Sequence, residues 1–204
     1  MRSAIHRPLT PIYIVDDFYD EPDRVRELAL SLEYRQTPAR HDRFPGLRST
    51  TRYFTASHRR RFKALIPSMG FRDRAENGAF QFLPRTAARY SYIHADGLSG
   101  WAGVLYLNPD RDGMPGTSFY RHKRLSWTAM PSARVLGKMS RSARARLMTR
   151  LWNDAARPSV WEQVASVSIR YNRLVLFKRN RFHGNASTFG TTYGNARLTQ
   201  VFFF

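Results

Sequence analysis

Two of the six histidines in the chain stand in settings that could bind a metal ion. His94 closes a short aromatic and apolar segment, and Asp96 follows it two residues later. Side chains two residues apart on an extended chain point to the same side, so this imidazole and carboxylate can converge on one ion. His183 comes after a second apolar segment and a short basic turn. Two imidazoles and one carboxylate, with coordination positions left open, form the ligand set of non-haem Fe(II) oxygenases.

Other residue types that often carry chemistry give weaker signals. The chain has no cysteine, which excludes disulfides, thiolate zinc sites and cysteine nucleophiles. His41 and His58 belong to no comparable pattern, and we expect neither to bind metal. We expect His122, within Tyr-Arg-His-Lys, to be a surface residue.

Short strands in the second part of the chain must position the candidate ligands. Alternation, continuous apolar runs and turn signals predict strands at 80–82, 90–93, 101–107, 117–120, 164–169, 173–177 and 196–204. The first part is predicted to hold a strand at 11–15, a helix at 21–34, a polar loop at 36–51 and a helix at 57–66. In the helix at 21–34 we expect Asp20 as N-cap and a core-facing apolar stripe of Val25, Leu28, Leu30 and Leu32.

This succession predicts a mainly β fold with helical N-terminal support (α+β), arranged as a double-stranded β-helix of the jelly-roll or cupin-like kind. We expect one domain over residues 1–204. Residues 1–78 would form an N-terminal strand and supporting helices, and residues 79–204 the jelly-roll core. A basic insertion at about 121–161 interrupts the strands and contains a predicted helix at 140–154.

Six segments of the chain together resemble one known family. They are Tyr-Ile-His-Ala-Asp-Gly (92–97), Gly-Val-Leu-Tyr-Leu-Asn (103–108), Gly-Thr-Ser-Phe-Tyr (116–120), Asn-Arg-Leu-Val-Leu-Phe (172–177), Arg-Phe-His-Gly (181–184) and Arg-Leu-Thr-Gln-Val (197–201). The succession resembles the prolyl-hydroxylase-like branch of the Fe(II)/2-oxoglutarate dioxygenases, over about 80–204 without the insertion. The N-terminal part looks like an uncharacterised bacterial subgroup of that superfamily.

The resemblance implies a role for each matching residue. His94, Asp96 and His183 become the catalytic iron ligands, and Arg197 becomes the partner of the distal 2-oxoglutarate carboxylate. Thr199 is a possible second donor.

The family often has a tyrosine at the position of Leu105, whose hydroxyl Tyr92 could supply, with Tyr90 and Thr117 as alternatives. The interval from His183 to Arg197 is longer than is common, so residues 187–194 must loop out.

Arg197 also stands out without the resemblance. It lies in an otherwise apolar terminal strand, where an unpaired charge would be costly, and a guanidinium matches a carboxylate with two hydrogen bonds. The alternative is an edge arginine that points to solvent. If Arg197 is not the carboxylate partner, Arg173 is the next candidate.

The function implied by the resemblance is hydroxylation that consumes O2 and 2-oxoglutarate and releases succinate and CO2. Halogenating relatives have a small residue where this chain has Asp96, so the carboxylate favours hydroxylation. The expected substrate is a small molecule, an amino acid or a peptidyl side chain. The alternatives are an oxidative nucleic-acid demethylase and a jelly-roll binding protein without catalysis.

Charge bears on the choice between these substrates. The net charge is +19, and residues 121–181 hold 15 Lys and Arg against two acids. Such a surface favours an acidic partner, nucleic acid or an anionic substrate, although solubility alone would also explain it. We expect the insertion to form a helical lid or wall beside the iron site, with arginines that attract an anionic substrate (Arg144, Arg146 and Arg150). The alternative is a helix packed on the outer sheet with its arginines in water.

Nucleic acid is not favoured, because no known nucleic-acid module is recognisable and the four tryptophans are expected to pack in the core or lid (Trp101, Trp127, Trp152 and Trp161). No apolar run is long enough for a signal peptide or a membrane span, so we expect a soluble cytoplasmic protein. The oligomeric state is left open.

Overall fold

The computed structural model describes residues 11–36, 46–71, 76–90 (backbone only at 88–90) and 92–204. Their ten strands form two antiparallel sheets. The strands are β1 Tyr13–Val15, β2 Tyr34–Gln36, β3 Leu47–Arg52, β4 Ala79–Leu83, β5 Trp101–Tyr106, β6 Pro115–His122, β7 Trp161–Ser168, β8 Leu174–Lys178, β9 His183–Asn185 and β10 Arg197–Phe203. The helices are α1 Pro22–Ser31, α2 Ala56–Leu65, α3 Ala133–Gly137 and α4 Arg141–Asp154, with 3-10 helices at Arg85–Tyr90 and Pro158–Val160.

The seven-stranded sheet has the order β1-β8-β5-β10-β4-β3-β2, and the three-stranded sheet has the order β7-β6-β9. The predicted mainly β architecture with a few helices is therefore confirmed. None of the helices in the described ranges is long and apolar enough to cross a membrane.

Alternation along β10 shows how the large sheet divides the interior. Leu198 and Phe202 pack in an aromatic cluster between this sheet and the first two helices. Arg197, Thr199 and Val201 point to the opposite side, toward the small sheet. A second apolar cluster fills part of that space and includes Tyr106 and Phe119, one from each sheet. Polar groups placed between the sheets are therefore largely removed from water.

The insertion forms two helices between the ends of β6 and β7. α4 begins after Ser140, whose hydroxyl accepts a hydrogen bond from the Ala143 backbone N–H, as expected of an N-cap. Leu147 packs with Trp161 and Phe182 in a third apolar cluster. The predicted helix at 140–154 is confirmed.

Predictions for three segments were wrong in part, and the first of these segments is helix α1. α1 ends at Ser31 rather than near 34, because residues 34–36 turn into β2 and pair with β3. Val25 of the predicted stripe is buried and Leu32 packs partly buried against the core, but Leu28 and Leu30 are more than one third exposed, and Ala29 is buried in their place. Asp20 does not cap this helix; its carboxylate instead accepts a hydrogen bond from Arg61.

The second and third errors concern extended segments. The loop predicted at 36–51 contains strand β3, which pairs with β4 despite its polar sequence; residues 37–45 lie outside the described ranges. The strand predicted at 90–93 is absent from its described residues, because a 3-10 helix runs to Tyr90 and only His94 then forms a bridge.

Candidate metal centre

His94 and His183 are brought together by backbone pairing. Each backbone N–H donates to the carbonyl of the other residue, at 2.9 Å in both directions. His183 is the first residue of β9, so the segment at His94 lies as one further row beside the small sheet. The two imidazole centroids are 4.5 Å apart.

Asp96 completes a cluster that could hold a metal ion. Its Oδ1 lies 3.4 Å from Nε2 of His94, and its Oδ2 lies 3.5 Å from Nε2 of His183. One ligand atom from each of the three residues lies within 4.8 Å of the other two. Bonds of 2.0–2.2 Å to a shared ion place neighbouring ligand atoms about 3 Å apart, so a small inward movement suffices. The structure thus brings together all three predicted ligands.

Hydrogen bonds orient both imidazoles for metal binding. Nδ1 of His94 lies 3.2 Å from the Tyr92 carbonyl, and Nδ1 of His183 lies 3.0 Å from the Arg181 carbonyl. A carbonyl can only accept, so each Nδ1 carries the proton and each Nε2 keeps its lone pair for the shared site. Metal-binding histidines commonly use this arrangement, in which the other ring nitrogen donates to a carbonyl.

Electrostatics favour a cation at this point. Burial acts to raise the pKa of the Asp96 carboxyl, but the neighbouring imidazoles and Arg179 lower it to about 2. Burial lowers the pKa of the His183 imidazole to about 4. At neutral pH the cluster therefore offers a carboxylate and a neutral buried imidazole, the forms that coordinate metals.

Arg179 positions the turn that carries Asp96. Its Nη2 donates a hydrogen bond of 2.7 Å to the Asp96 backbone carbonyl, and its guanidinium lies against Gly97. The same guanidinium packs over the Phe203 ring, at 5.3 Å from the centroid. Sequence analysis did not single out this residue, because its importance depends on a contact between distant segments.

An open cavity of about 840 Å³ adjoins the three candidate ligands. Its walls include side chains of the insertion (Met148, Leu151 and Trp152) and of β10 (Val201 and Phe203). A second, smaller cavity of about 340 Å³ lies beside Tyr19 and His58, near the first two helices. Only the larger one combines the metal cluster with space for a substrate.

Arg197 is buried between the sheets, with an exposed fraction of 1%. Its Nη1 donates to the carbonyls of Gly116 at 2.7 Å and Ser187 at 3.1 Å. Its Nη2 is buried and has no hydrogen-bond partner within the described ranges, where no carboxylate pairs with this guanidinium either. The alternative of an edge arginine in solvent is therefore wrong. The loop at 187–194 contributes by placing the Ser187 carbonyl beside Arg197.

The tyrosine beside Arg197 is Tyr106. The guanidinium carbon of Arg197 lies 5.4 Å from the centroid of this ring, and the Tyr106 hydroxyl is 2.7 Å from Oγ1 of Thr117. Leu105, where we looked for a tyrosine, packs on the helix side of the sheet. Alternation with Ala102 and Val104 could have revealed that Tyr106 faces inward.

The remaining candidates have distinct places. The Thr117 hydroxyl contacts the hydroxyl of Tyr106, whose ring lies beside Arg197. Thr199 lies on β10 and is paired with Tyr106 of β5 in the strand register. Tyr92 lines the cavity two residues before His94. Arg173, the fallback for Arg197, is engaged by Asp16 at 2.6 Å and is not the buried cation between the sheets.

His122 is a buried residue, which corrects the surface assignment. It is 1% exposed, and its Nε2 lies 3.0 Å from Oδ2 of Asp154 near the end of α4. Nδ1 accepts from the Leu125 backbone N–H at 3.3 Å, so Nε2 is the nitrogen that donates to the carboxylate. The Asp154 carbonyl accepts from the Trp161 indole at 2.8 Å. This pairing holds the end of α4 against the small sheet.

The site and fold together define a β-rich protein with a His–Asp–His cluster beside an open cavity. The chain belongs to the family described as "Family of unknown function (DUF6445)", whose model matches residues 2–204. No curated protein matches the chain.

Proposed function

We propose that this protein is an Fe(II)- and 2-oxoglutarate-dependent oxygenase. The observation that carries the proposal is the convergence of His94, Asp96 and His183 within 4.8 Å at the wall of an open cavity. Two imidazoles and one carboxylate on one side of an ion leave the other positions open for co-substrate and oxygen.

The strand order supports a double-stranded β-helix. In the large sheet β8, β5, β10 and β4 are consecutive neighbours, and in the small sheet the segment at His94 is followed by β9, β6 and β7. Successive strands of residues 79–203 thus alternate between the two sheets, except that β6 and β7 pair with each other in the small sheet, and this arrangement is consistent with a jelly roll. The strands β1, β2 and β3 extend the large sheet at its two edges.

The residues around Arg197 suit the distal carboxylate of 2-oxoglutarate. An unsatisfied buried guanidinium nitrogen is costly, and a carboxylate would satisfy it by a charge-assisted hydrogen bond. The Tyr106 and Thr117 hydroxyls lie in the same group and can donate or accept a further bond. Iron, once bound, would allow O2 to oxidise both 2-oxoglutarate, giving succinate and CO2, and the substrate, which would gain the second oxygen atom as a hydroxyl.

The protein's own contribution is placement. The carbonyls beside His94 and His183 hold the imidazoles in the binding tautomer, and Arg179 holds the turn of Asp96. Apolar residues of α4 and β10 form part of the cavity wall and would limit the water around a bound substrate.

The decisive test is an anaerobic titration of metal-free protein with Fe(II), followed by 2-oxoglutarate. We expect one iron per chain and a visible charge-transfer band that needs both additions. Succinate release under oxygen would then establish turnover. Stoichiometric iron binding without any response to 2-oxoglutarate would contradict the proposal and leave a metal-binding jelly roll without this catalysis.

A further inference from the structure

We infer that single-stranded nucleic acid is the ligand of the cavity mouth, with phosphates along one face of α4 and a base against Trp152. The inference that nucleic acid is the substrate rests on the proposed oxygenase function. The inference that the protein binds nucleic acid does not, because the residues that would bind it are not metal ligands.

The apolar rim of the cavity is unusually exposed. Leu98, Met148 and Trp152 all line the cavity, and their exposed fractions are 37%, 38% and 56%. Trp152 was expected to pack in the core or lid, whereas Trp101 and Trp161 do so, at 7% and 4% exposure. The indole of Trp152, although 56% exposed, lies at the mouth of the site, where the accessible part of its ring can contact a flat nucleobase.

Two arginines continue this rim along α4. Residues three or four apart lie on the same face of a helix, which places Arg141 and Arg144 in line with Met148 and Trp152. Along the helix axis they lie about 16 Å and 12 Å from Trp152, at 1.5 Å per residue. Both are exposed, and neither forms an ion pair with any acid in the described ranges.

The other two arginines of α4 face away from this line. Arg146 and Arg150 are each two residues from a member of the stripe, which is a rotation of about 200°. Of the three arginines expected to attract an anion, only Arg144 therefore shares the cavity face. Replacing Arg146 and Arg150 therefore removes the same charge from the same helix and serves as the control for replacing Arg141 and Arg144.

The spread of charge favours a polyanion over a small anionic molecule. Residues 121–157 hold ten Lys and Arg and one acid, and that acid, Asp154, is largely buried. One small carboxylate would neutralise little of this excess, whereas a nucleic acid brings one phosphate with each nucleotide. A peptide made only of acidic residues would match the charge but has no aromatic ring to stack on Trp152.

A single strand fits better than a duplex. Inside a duplex each base is stacked and cannot enter a protein cavity without being flipped out. A cavity of about 840 Å³ is large enough for one nucleotide unit, and it opens beside the rim.

The test measures binding of fluorescein-labelled 12-nucleotide single-stranded DNA and RNA to metal-free protein in EDTA at several salt concentrations. The variants are Arg141→Gln/Arg144→Gln and the matched control Arg146→Gln/Arg150→Gln. We expect the first pair to flatten the slope of log affinity against log salt by about 1.4, at about 0.7 per lost phosphate contact. The control pair should change the slope by much less. Equal effects of the two pairs would overturn the proposal.

A second measurement isolates the base. Trp152→Ala should weaken binding about 5- to 150-fold, and Trp152→Phe should recover part of the loss because it keeps an aromatic face. Heparin and poly-glutamate, which carry charge but no bases, should be insensitive to both changes. If Trp152→Ala left oligonucleotide affinity unchanged, or if poly-glutamate bound as tightly, the ligand would not be nucleic acid.

The results of these binding experiments can be distinguished from the results of the oxygenase test. Oligonucleotide binding with the expected variant pattern, but no iron-dependent response to 2-oxoglutarate, would refute only the oxygenase. Iron- and 2-oxoglutarate-dependent turnover with no oligonucleotide binding would refute only the nucleic-acid ligand.

Discussion

His94 and His183 exchange two backbone hydrogen bonds of 2.9 Å, and this pairing holds their imidazole centroids 4.5 Å apart. The metal cluster is therefore tied to strand pairing at the edge of the small sheet. Asp96, two residues beyond the bridge, then falls between the two Nε2 atoms.

We predict one divalent metal ion per chain, lost when Asp96 is replaced by Ala. The replacement removes the only anionic ligand of the cluster, so affinity for Fe(II) or Mn(II) should fall by at least about 100-fold. Isothermal titration calorimetry of the metal-free protein measures this. Asp110→Ala, at an exposed turn, serves as the control and should bind normally. Retained stoichiometric binding in Asp96→Ala would remove it from the ligand set.

Arg197 should determine affinity for 2-oxoglutarate. Arg197→Met should weaken 2-oxoglutarate binding strongly without affecting metal binding, because it removes the guanidinium but fills the space. Arg197→Lys should be intermediate, since a point charge replaces the two-pronged group. Tyr106→Phe should give a smaller loss. Circular dichroism checks folding, and Arg173→Lys, at the Asp16 ion pair, provides the control. Normal co-substrate affinity in Arg197→Met would refute the role.

Arg179 should act on metal affinity through the position of Asp96. Arg179→Gln loses the charge that helps to lower the pKa of Asp96 and weakens the bond to its carbonyl. Groups that orient metal ligands typically contribute 10- to 100-fold to affinity, so we expect a loss of that size. The readout is metal affinity in the absence of turnover. Arg170→Gln, which changes an exposed charge beside Asp16, should leave it unaltered.

The stability of the protein should fall as pH drops below about 6.5, partly because of His58. Burial and the nearby Arg61 lower the pKa of His58 to about 4, from an ordinary value of 6.5. Its Nδ1 accepts from the Thr55 N–H at 3.0 Å, and its other nitrogen contacts the Tyr19 hydroxyl at 2.6 Å. The unfolded chain therefore takes up the proton first.

The contribution of His58 is full above pH 6.5 and is lost as pH falls toward 4, with a limiting slope of about 1.4 kcal/mol per pH unit. Urea unfolding at pH 7.5, 6.0 and 5.0 measures it. His58→Gln should be less stable at pH 7.5 but less sensitive to pH. Parallel pH profiles for the two proteins would show that His58 is not responsible.

The His122–Asp154 pair should hold α4 in place. Asp154→Ala leaves a buried N–H of His122 without an acceptor, which typically costs about 1–3 kcal/mol in the free energy of unfolding. The double variant His122→Phe/Asp154→Leu should recover most of that loss, because both polar groups are gone. A double variant as unstable as the single one would contradict the prediction that the unpaired N–H of His122 causes the loss.

Several features of this protein are determined by short stretches of sequence. The two-residue spacing of His94 and Asp96 places both side chains on one side of an extended segment, whatever the rest of the fold does. α4 likewise begins after Ser140 and carries a local 3.6-residue period. Alternating apolar residues identify β4, and continuous apolar runs identify β5 and β8. Such properties depend on neighbours in the chain, so one sequence is enough to predict them.

Other features exist only once distant segments meet. The sequence of β3 is typical of a polar loop, yet this segment is a strand because its backbone pairs with that of β4. His122 is buried because Asp154, on a different element, supplies its partner. Tyr106 rather than Leu105 faces Arg197, since the register of β5 against β10 decides which side each residue occupies. The exposure of Trp152 and the different faces taken by Arg144 and Arg150 depend in the same way on how α4 docks. Burial and pairing are properties of the assembled chain, and local periodicity does not contain them.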